Sequence, residues 1–402
     1  MLLANGPAYV AIPGPSVCPE RVLRAMHRPS PNIYAGEIVE ITKTLVPSLK
    51  AVAKTDGHVA LYIGNGHAAW EAALFNVLSP GDKVLVLSSG HFGTGWGNMA
   101  HPMGIDVELM EFDRRGGNDL EAVIKRLKAD KSGEIKAVLS VQVDTSTGVK
   151  NGIADLRNAM DAADHPALLM VDCIACLGCD DFEMDAWGVD VMVAGCQKGL
   201  MVPPGMAFVF FNDKADAMRE TNGCASHYWD WRPRANAEAL WQFFDGTAPT
   251  HHIYGMREAL DMISEEGLPQ VFERHAVFAK AIWAAVEAWG RGGEIELNIP
   301  DPKLRSNAVT SVRMKAPQAT RLRNWAESQA GITLGIGLGM GTSEDPNADG
   351  FFRFGHMGSL SAHMILGLIA TTQTGLKALD IPHGPGGLEA ASQVIADATN
   401  VT

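Results

Sequence analysis

The stretch ALLMVDCIACLGCDDFEMDAWGVDVMVAGCQKGLMVPPGMAFVFF (167–211) holds three short apolar runs, 167–172, 189–195 and 206–211, separated by glycine, proline and polar residues. Runs of this length, apolar at nearly every position, read as strands buried on both faces. Toward the N-terminus the texture repeats in HVALYI (58–63), KVLVLSS (83–89), DVELMEF (106–112) and AVLSVQV (137–143), with helical patterns such as HAAWEAALFNVL (67–78) and DLEAVIKRLKAD (119–130) between them. Alternating buried strands and amphipathic helices predict an α/β fold, with a large domain built on a mainly parallel sheet covered by helices. Beyond Tyr254 the pattern changes to long helices near 255–266, 268–290 and 359–377 with short strands near 308–314 and 350–355, which predicts a smaller C-terminal α/β domain. Pro13, Gly14 and Pro15 keep the opening segment extended. The expected division is therefore 1–30 as a segment packing across the lobes, 31–260 as the large domain and 261–402 as the small one.

The chain has 402 residues, 33 Lys and Arg against 46 Asp and Glu, and a net charge of −13. Such a surface repels a phosphate backbone, so neither nucleic acid nor an anionic membrane is an expected partner. The opening MLLANGPAYVAIPGPS has no basic n-region and its apolar run is broken by Asn5, Gly6 and Pro7, so the chain reads as cytoplasmic. Six cysteines are too few for a disulfide scaffold of this length.

In an open α/β sheet ligands gather at the carboxyl ends of the strands. After the first strand comes Gly64-Asn65-Gly66-His67 and then a helix, whose free N–H groups suit a phosphate; a plain turn is the competing reading. Phe92 follows the second strand and is either a ring-stacking wall or a core side chain. Asp144-Thr145-Ser146-Thr147-Gly148 forms a polar turn after the fourth, and Asp172 ends the fifth as a helix cap or as a carboxylate awaiting a cation. Lys198, after the sixth, is an exposed loop residue or a desolvated nucleophile. The combination decides: phosphate cradle, stacking aromatic, buried carboxylate and desolvated lysine at the ends of one sheet are what pyridoxal phosphate requires.

Taken together, GNGHAAWEAALFNVLSPGD, STGV, the Val-Asp before Cys173, DFEMDAWGVDV, QKGLMVPPG and FRFGHMGSL resemble the class V, fold-type I aminotransferases, and within them the serine/alanine–glyoxylate group. The matches extend over about residues 12–365. This resemblance implies pyridoxal 5'-phosphate as cofactor and a two-stage transfer of an amino group from serine, alanine or aspartate to glyoxylate or pyruvate. Lys198 would then carry the cofactor as a Schiff base, Asp172 would face the pyridine nitrogen, and Phe92 and Ile174 would enclose the ring. Gly66, His67 and Gln197 fall at phosphate positions, Ser146 near the ring hydroxyl, and Arg353 at the position that grips the substrate carboxylate. Thr247 matches a residue that reaches the phosphate of a neighbouring subunit, which implies a homodimer with shared sites. Another class V enzyme with a different donor, such as a pyridoxamine–pyruvate transaminase, or a lyase of the same class, is the alternative.

The sequence departs from the family pattern at three places. Phe244 stands where a tyrosine commonly precedes the threonine by three positions, the segment PSPNIYAGEI replaces a His-Arg-containing run, and WDWRPR (229–234) has no counterpart. Cys173, Cys176, Cys179 and Cys196 could be an iron–sulfur set, but tight packing by small residues is the expected role. His251, His252 and His356 lack a third ligand at metal spacing. Sulfur transfer on this fold needs a cysteine late in the chain, and none follows Cys224.

Overall fold

A computed structural model of the chain describes residues 3–222 and 226–399. Its strands are β1 (Tyr9–Ala11), β2 (His58–Gly64), β3 (Lys83–Ser88), β4 (Asp106–Glu111), β5 (Ile135–Val141), β6 (Val143–Asp144), β7 (Val149–Lys150), β8 (Leu168–Asp172), β9 (Val191–Gly195), β10 (Gly205–Phe211), β11 (Ile295–Leu297), β12 (Val309–Met314), β13 (Ile332–Ile336) and β14 (Phe351–Gly355). The large sheet runs β2-β10-β9-β8-β5-β3-β4. All seven expected strands are in it, and β4, β3, β5, β8 and β9 are parallel. Only β10 is reversed, antiparallel to both β9 and β2. The loop between Gly195 and Gly205 is too short for the dozen or more residues of a parallel crossover, so the chain turns straight back. With β10 reversed, β2 points the same way as β9, and the two strands end on the same side.

Successive residues of these strands feed different cores, which is why the strands read as continuous apolar runs. Val59, Leu61, Leu85 and Leu87 pack with the helices Glu37–Ala53 and Thr250–Glu266, whereas Ala60, Tyr62, Val84 and Val86 pack with Trp70, Trp96 and Trp231 on the opposite face. The small sheet has the order β1-β13-β14-β12-β11 and a core of its own around Trp289, Phe352, Phe354 and Leu368. The sequence pattern anticipates β12 and β14; β1, β11 and β13 are too short or too interrupted by polar residues to stand out.

The N-terminal segment joins the two sheets. Tyr9–Ala11 adds to β13 in parallel, with Tyr9 opposite Ile332. A few residues later Ser16 N donates to Gln197 O (2.9 Å), Ser16 Oγ donates to Lys198 O (2.7 Å), and the helix Glu20–Met26 lies on Thr250–Glu266. The WDWRPR segment forms a short helix, Trp231–Ala235, over the outer edge of the large sheet. Trp231 stacks on Phe211 at 4.0 Å and 6°. The guanidinium of the buried Arg234 donates to Leu61 O (2.9 Å) and Phe243 O (3.0 Å), blunting an edge strand that would otherwise present free carbonyls. Among the described residues no helix is long and apolar enough to cross a membrane.

Candidate active site

At the carboxyl ends of β2, β8 and β9 lies a cavity of about 110 Å³, and its walls include Gly66, His67, Phe92, Asp172, Ile174, Gln197 and Lys198. Seven of the positions singled out in the sequence thus meet in one place. The helix Gly66–Val77 starts directly after β2 and is capped by Asn65, whose side chain accepts from His67 N (3.0 Å). Glycine is required at 66, because a Cβ there would strike the Ile174 side chain. The helix start and Ile174 therefore sit close together, leaving the cradle open at backbone level.

Asp172 is the last residue of β8 and is 3% exposed. Burial pushes its carboxyl up to about 7, against hydrogen bonds from Ile174 N (2.6 Å) and Trp70 Nε1 (2.8 Å) that favour the charged form. A carboxylate in this position calls for a cation beside it. Lys198 follows β9, and burial lowers its amine to about 8, with the positive charge of Arg353 acting in the same direction. Its Nζ donates to the carbonyl of Pro13, so the extended N-terminal segment forms part of the lysine's surroundings. Gly14 is left-handed at φ +89°, and a side chain there would collide with Lys198. The side-chain oxygen of Gln197 is buried with no partner, which leaves this amide to a ligand.

Arg353 stands on β14 of the small sheet, 6% exposed, outside the cavity wall. Its Nε donates to Ile336 O (2.7 Å) and Nη1 to Thr145 O (2.6 Å). Burial lowers it to about 10, opposed by the nearby charge of Asp144. Ser146 is placed differently from the expectation. It does not line the cavity; its Oγ donates to Asp144 Oδ1 (2.5 Å) and accepts from His91 N (3.0 Å), and Thr145 takes the wall position. The buried start of the helix His91–Ala100 needs that hydroxyl more than the cavity does. Thr247 is exposed and lies away from this chain's own cavity, whereas Phe244 is 1% exposed in the large core.

Three contributors were not singled out from the sequence: Trp70, Asp144 and Pro13. Trp70 lies four residues after Gly66 on the same helix face, a spacing that could have placed it over the cradle. Asp144 was visible only as part of a polar turn, and nothing local marks Pro13. The cysteines are engaged in packing: Cys173 and Cys176 donate to Gln142 Oε1 (3.5 and 2.9 Å) and Cys196 to Pro203 O (3.0 Å). His251 and His252 each bond a backbone carbonyl, of Arg28 and Pro204. His356 is fully buried between Thr310 Oγ1 (2.9 Å) and Asn307 O (2.8 Å).

Residues 15–345 match the family model described as aminotransferase class V. The chain is 36% identical to the serine–glyoxylate aminotransferase of Methylorubrum extorquens, covering 98% of this chain and 97% of that protein. It is also 36% identical to the L-aspartate–glyoxylate aminotransferase of Paracoccus denitrificans, over 96% and 95% of the two chains. Among solved structures, pyridoxamine–pyruvate aminotransferase from Mesorhizobium loti superimposes with a TM-score of 0.86 at 26% identity, covering 98% of each chain. The chain therefore belongs to the class V aminotransferases, in the group that includes the serine– and aspartate–glyoxylate enzymes.

Proposed function

We propose that this protein is a pyridoxal-phosphate-dependent aminotransferase that moves an amino group from a small amino acid to glyoxylate or pyruvate, working as a homodimer. The observation that carries the reading is the cavity itself, where a desolvated lysine and a buried carboxylate face each other between an aromatic wall and a helix start. The residues fit the cofactor on two independent counts. The glycine-lined start of Gly66–Val77 presents free backbone N–H groups that suit a phosphate, and Asp172 needs a cation that a protonated ring nitrogen provides. When bound, pyridoxal phosphate supplies an aldehyde that accepts and returns the amino group and a ring that draws electrons from the substrate's Cα.

Each role then follows from local chemistry. Lys198 holds the cofactor through its amine. Once the donor's amine has replaced it there, the Lys198 amine is free, and an amine lowered to about 8 is partly neutral near pH 7 to 8 and can take the proton from the donor's Cα. Asp172 keeps a negative charge against the ring nitrogen, fixed in place by Trp70 and the Ile174 amide. Phe92 and Ile174 enclose the ring, while Gly66, His67 and Gln197 hold the phosphate. Arg353 grips the donor's carboxylate with the edge of its guanidinium left over from Ile336 O and Thr145 O. Thr247, exposed on one subunit, reaches the phosphate of the other.

The test is a single-turnover screen of the loaded enzyme, following the cofactor's absorbance as serine, alanine, aspartate and pyridoxamine are added in turn. Rapid bleaching by one of the amino acids, reversed by glyoxylate or pyruvate, is expected. No response to any amino acid, with bleaching by pyridoxamine alone, would move the protein to the pyridoxamine–pyruvate type. Sedimentation of the loaded protein should give a dimer that loses cofactor on dilution to monomer, and a fully loaded monomer would remove Thr247 from the site.

A further inference from the structure

The helix His91–Ala100 carries Phe92 at its second position but has no side chain of its own to close its N-terminus, because the N-cap is Gly90. Its first free amides are met instead from some fifty residues further along the chain. Asp144, 0% exposed, accepts from Phe92 N (2.9 Å) and Gly93 N (3.2 Å) through Oδ2. Through Oδ1 it accepts from Ser146 N (3.0 Å) and Ser146 Oγ (2.5 Å). The loop has been shaped around it: a Cβ on Gly90 would come within 2.5 Å of the Asp144 carboxylate. The same turn presents the carbonyl of Thr145, the next residue, to Arg353 Nη1 at 2.6 Å. One buried carboxylate therefore ties the aromatic wall to the backbone that aims the arginine.

We infer that Asp144 is a positioning residue which sets the ring-stacking Phe92 and the carboxylate-gripping Arg353 in register with each other across the cavity. This rests on the cofactor and substrate roles proposed above, and extends them to a residue that touches neither group. The physical basis is that a helix start binds an anion through both its free N–H groups and its dipole. An ionised acceptor makes the stronger bond to each amide. Because the turn 144–146 is pinned by the same two oxygens, Phe92 cannot shift without dragging Thr145, and Arg353 takes its direction from Thr145 O. A neutral amide in this place would offer one accepting oxygen and turn an N–H₂ group toward two donors, loosening both ends together.

The experiment compares the full-length loaded protein with Asp144→Asn and Asp144→Ala. The readouts are pyridoxal phosphate affinity by absorbance titration, circular dichroism of the bound cofactor per mole bound, thermal unfolding, and KM and kcat for the best amino donor at saturating cofactor. Asp144→Asn is expected to keep its far-ultraviolet spectrum. It should lose at least half of the cofactor's dichroism at full occupancy and raise the donor KM about tenfold, the size of one charge-assisted hydrogen bond, with kcat changed far less. A role confined to general stability would lower the melting temperature and leave the dichroism of the bound cofactor and the donor KM unchanged, which overturns the inference. If Asp144→Ala does not fold, the asparagine variant decides alone. Should the unaltered protein bind no pyridoxal phosphate, the underlying functional reading falls and this role with it. If the unaltered protein binds it and Asp144→Asn behaves identically, only the role of Asp144 falls.

Discussion

In the seven-stranded sheet the candidate groups lie where strands stop: Asp172 is the final residue of β8 and Lys198 comes just past the end of β9. In the five-stranded sheet Arg353 sits in the middle of β14, between Ser311 of β12 on one side and Gly335 of β13 on the other. A strand-end group is carried by a loop, so its position answers to what packs on the loop: Pro13 on Lys198, and Trp70 on Asp172. A mid-strand group is carried by the ladder itself: register fixes where it leaves the sheet, and Thr145 O then receives the end of its guanidinium. Beside it, a Cβ on Gly335 would strike Pro13 at 2.7 Å and come within 3.1 Å of the Arg353 Cβ, so the missing side chain there lets the N-terminal segment lie against this strand. Asp172 and Lys198 are thus placed by loops of the large sheet, and Arg353 by a ladder of the small one.

If this contrast holds, damage to the two sheets should fall on different measurements. The largest effect is expected from Lys198→Ala, which removes the amine proposed to move the proton and should lower turnover by at least about 10²–10⁴-fold. Borohydride reduction of the unaltered protein should place the cofactor's mass on the peptide containing Lys198, and a label elsewhere would reverse the roles of the loops. Arg353→Lys keeps the charge but not the planar fork. It should lower kcat/KM about 10–100-fold for every carboxylate-bearing donor, equivalent to one charge-assisted hydrogen bond, while cofactor affinity stays unchanged. A parallel loss of cofactor would show that the two sheets are not separable in this way.

Asp172 gives a third, smaller signal in the cofactor-free protein. Its carboxyl is raised from 3.8 to about 7 by burial, so the folded state keeps a proton that the unfolded chain has already lost. Stability of the empty protein should therefore fall as pH rises from about 4 to about 7 and level off above that. Asp172→Asn should flatten this fall, and an unchanged slope would place the sensitivity elsewhere. The smallest effect concerns Phe244, whose ring is buried in the large core. A tyrosine here inserts a hydroxyl into packed surroundings, so Phe244→Tyr should lower stability by about 1–3 kcal/mol on thermal unfolding.

The large sheet was readable because its strands are apolar on both faces, and a Val-, Leu- and Phe-rich run next to a polar strand end is a local signal. The same logic brought out Asp172, Lys198 and Gly66 before any geometry. Arg353 has no such signature: FFRFG looks like any half-buried strand, and only the likeness of the surrounding motif to a family singled it out. Ser146 and its neighbour Thr145 both carry hydroxyls, and which of the two lines the cavity depends on a helix start far away in sequence. Trp70 and Asp144 act through partners on other elements, a relation that spacing along one segment does not encode. The tryptophan-rich segment, unmatched in the family pattern, proved to be cover for an exposed strand edge.

The pairing of Tyr9–Ala11 with Ile332–Leu334 has a consequence for synthesis of the chain. The strand that leads to Pro13 emerges first, yet its partner is made about 320 residues later, a wait of roughly 20–60 s at ordinary translation rates. In the later part of that interval, once the chain has passed Lys198, β8 and β9 can already be paired in the large sheet, so the lysine and the aspartate are in place before β1 has its partner. Arg353 arrives later still. A nascent or truncated chain ending before β13 would carry Lys198 and Asp172 without the strand pairing that seats Tyr9–Ala11 and without Arg353, so the candidate groups of the large sheet are completed before the one on the small sheet.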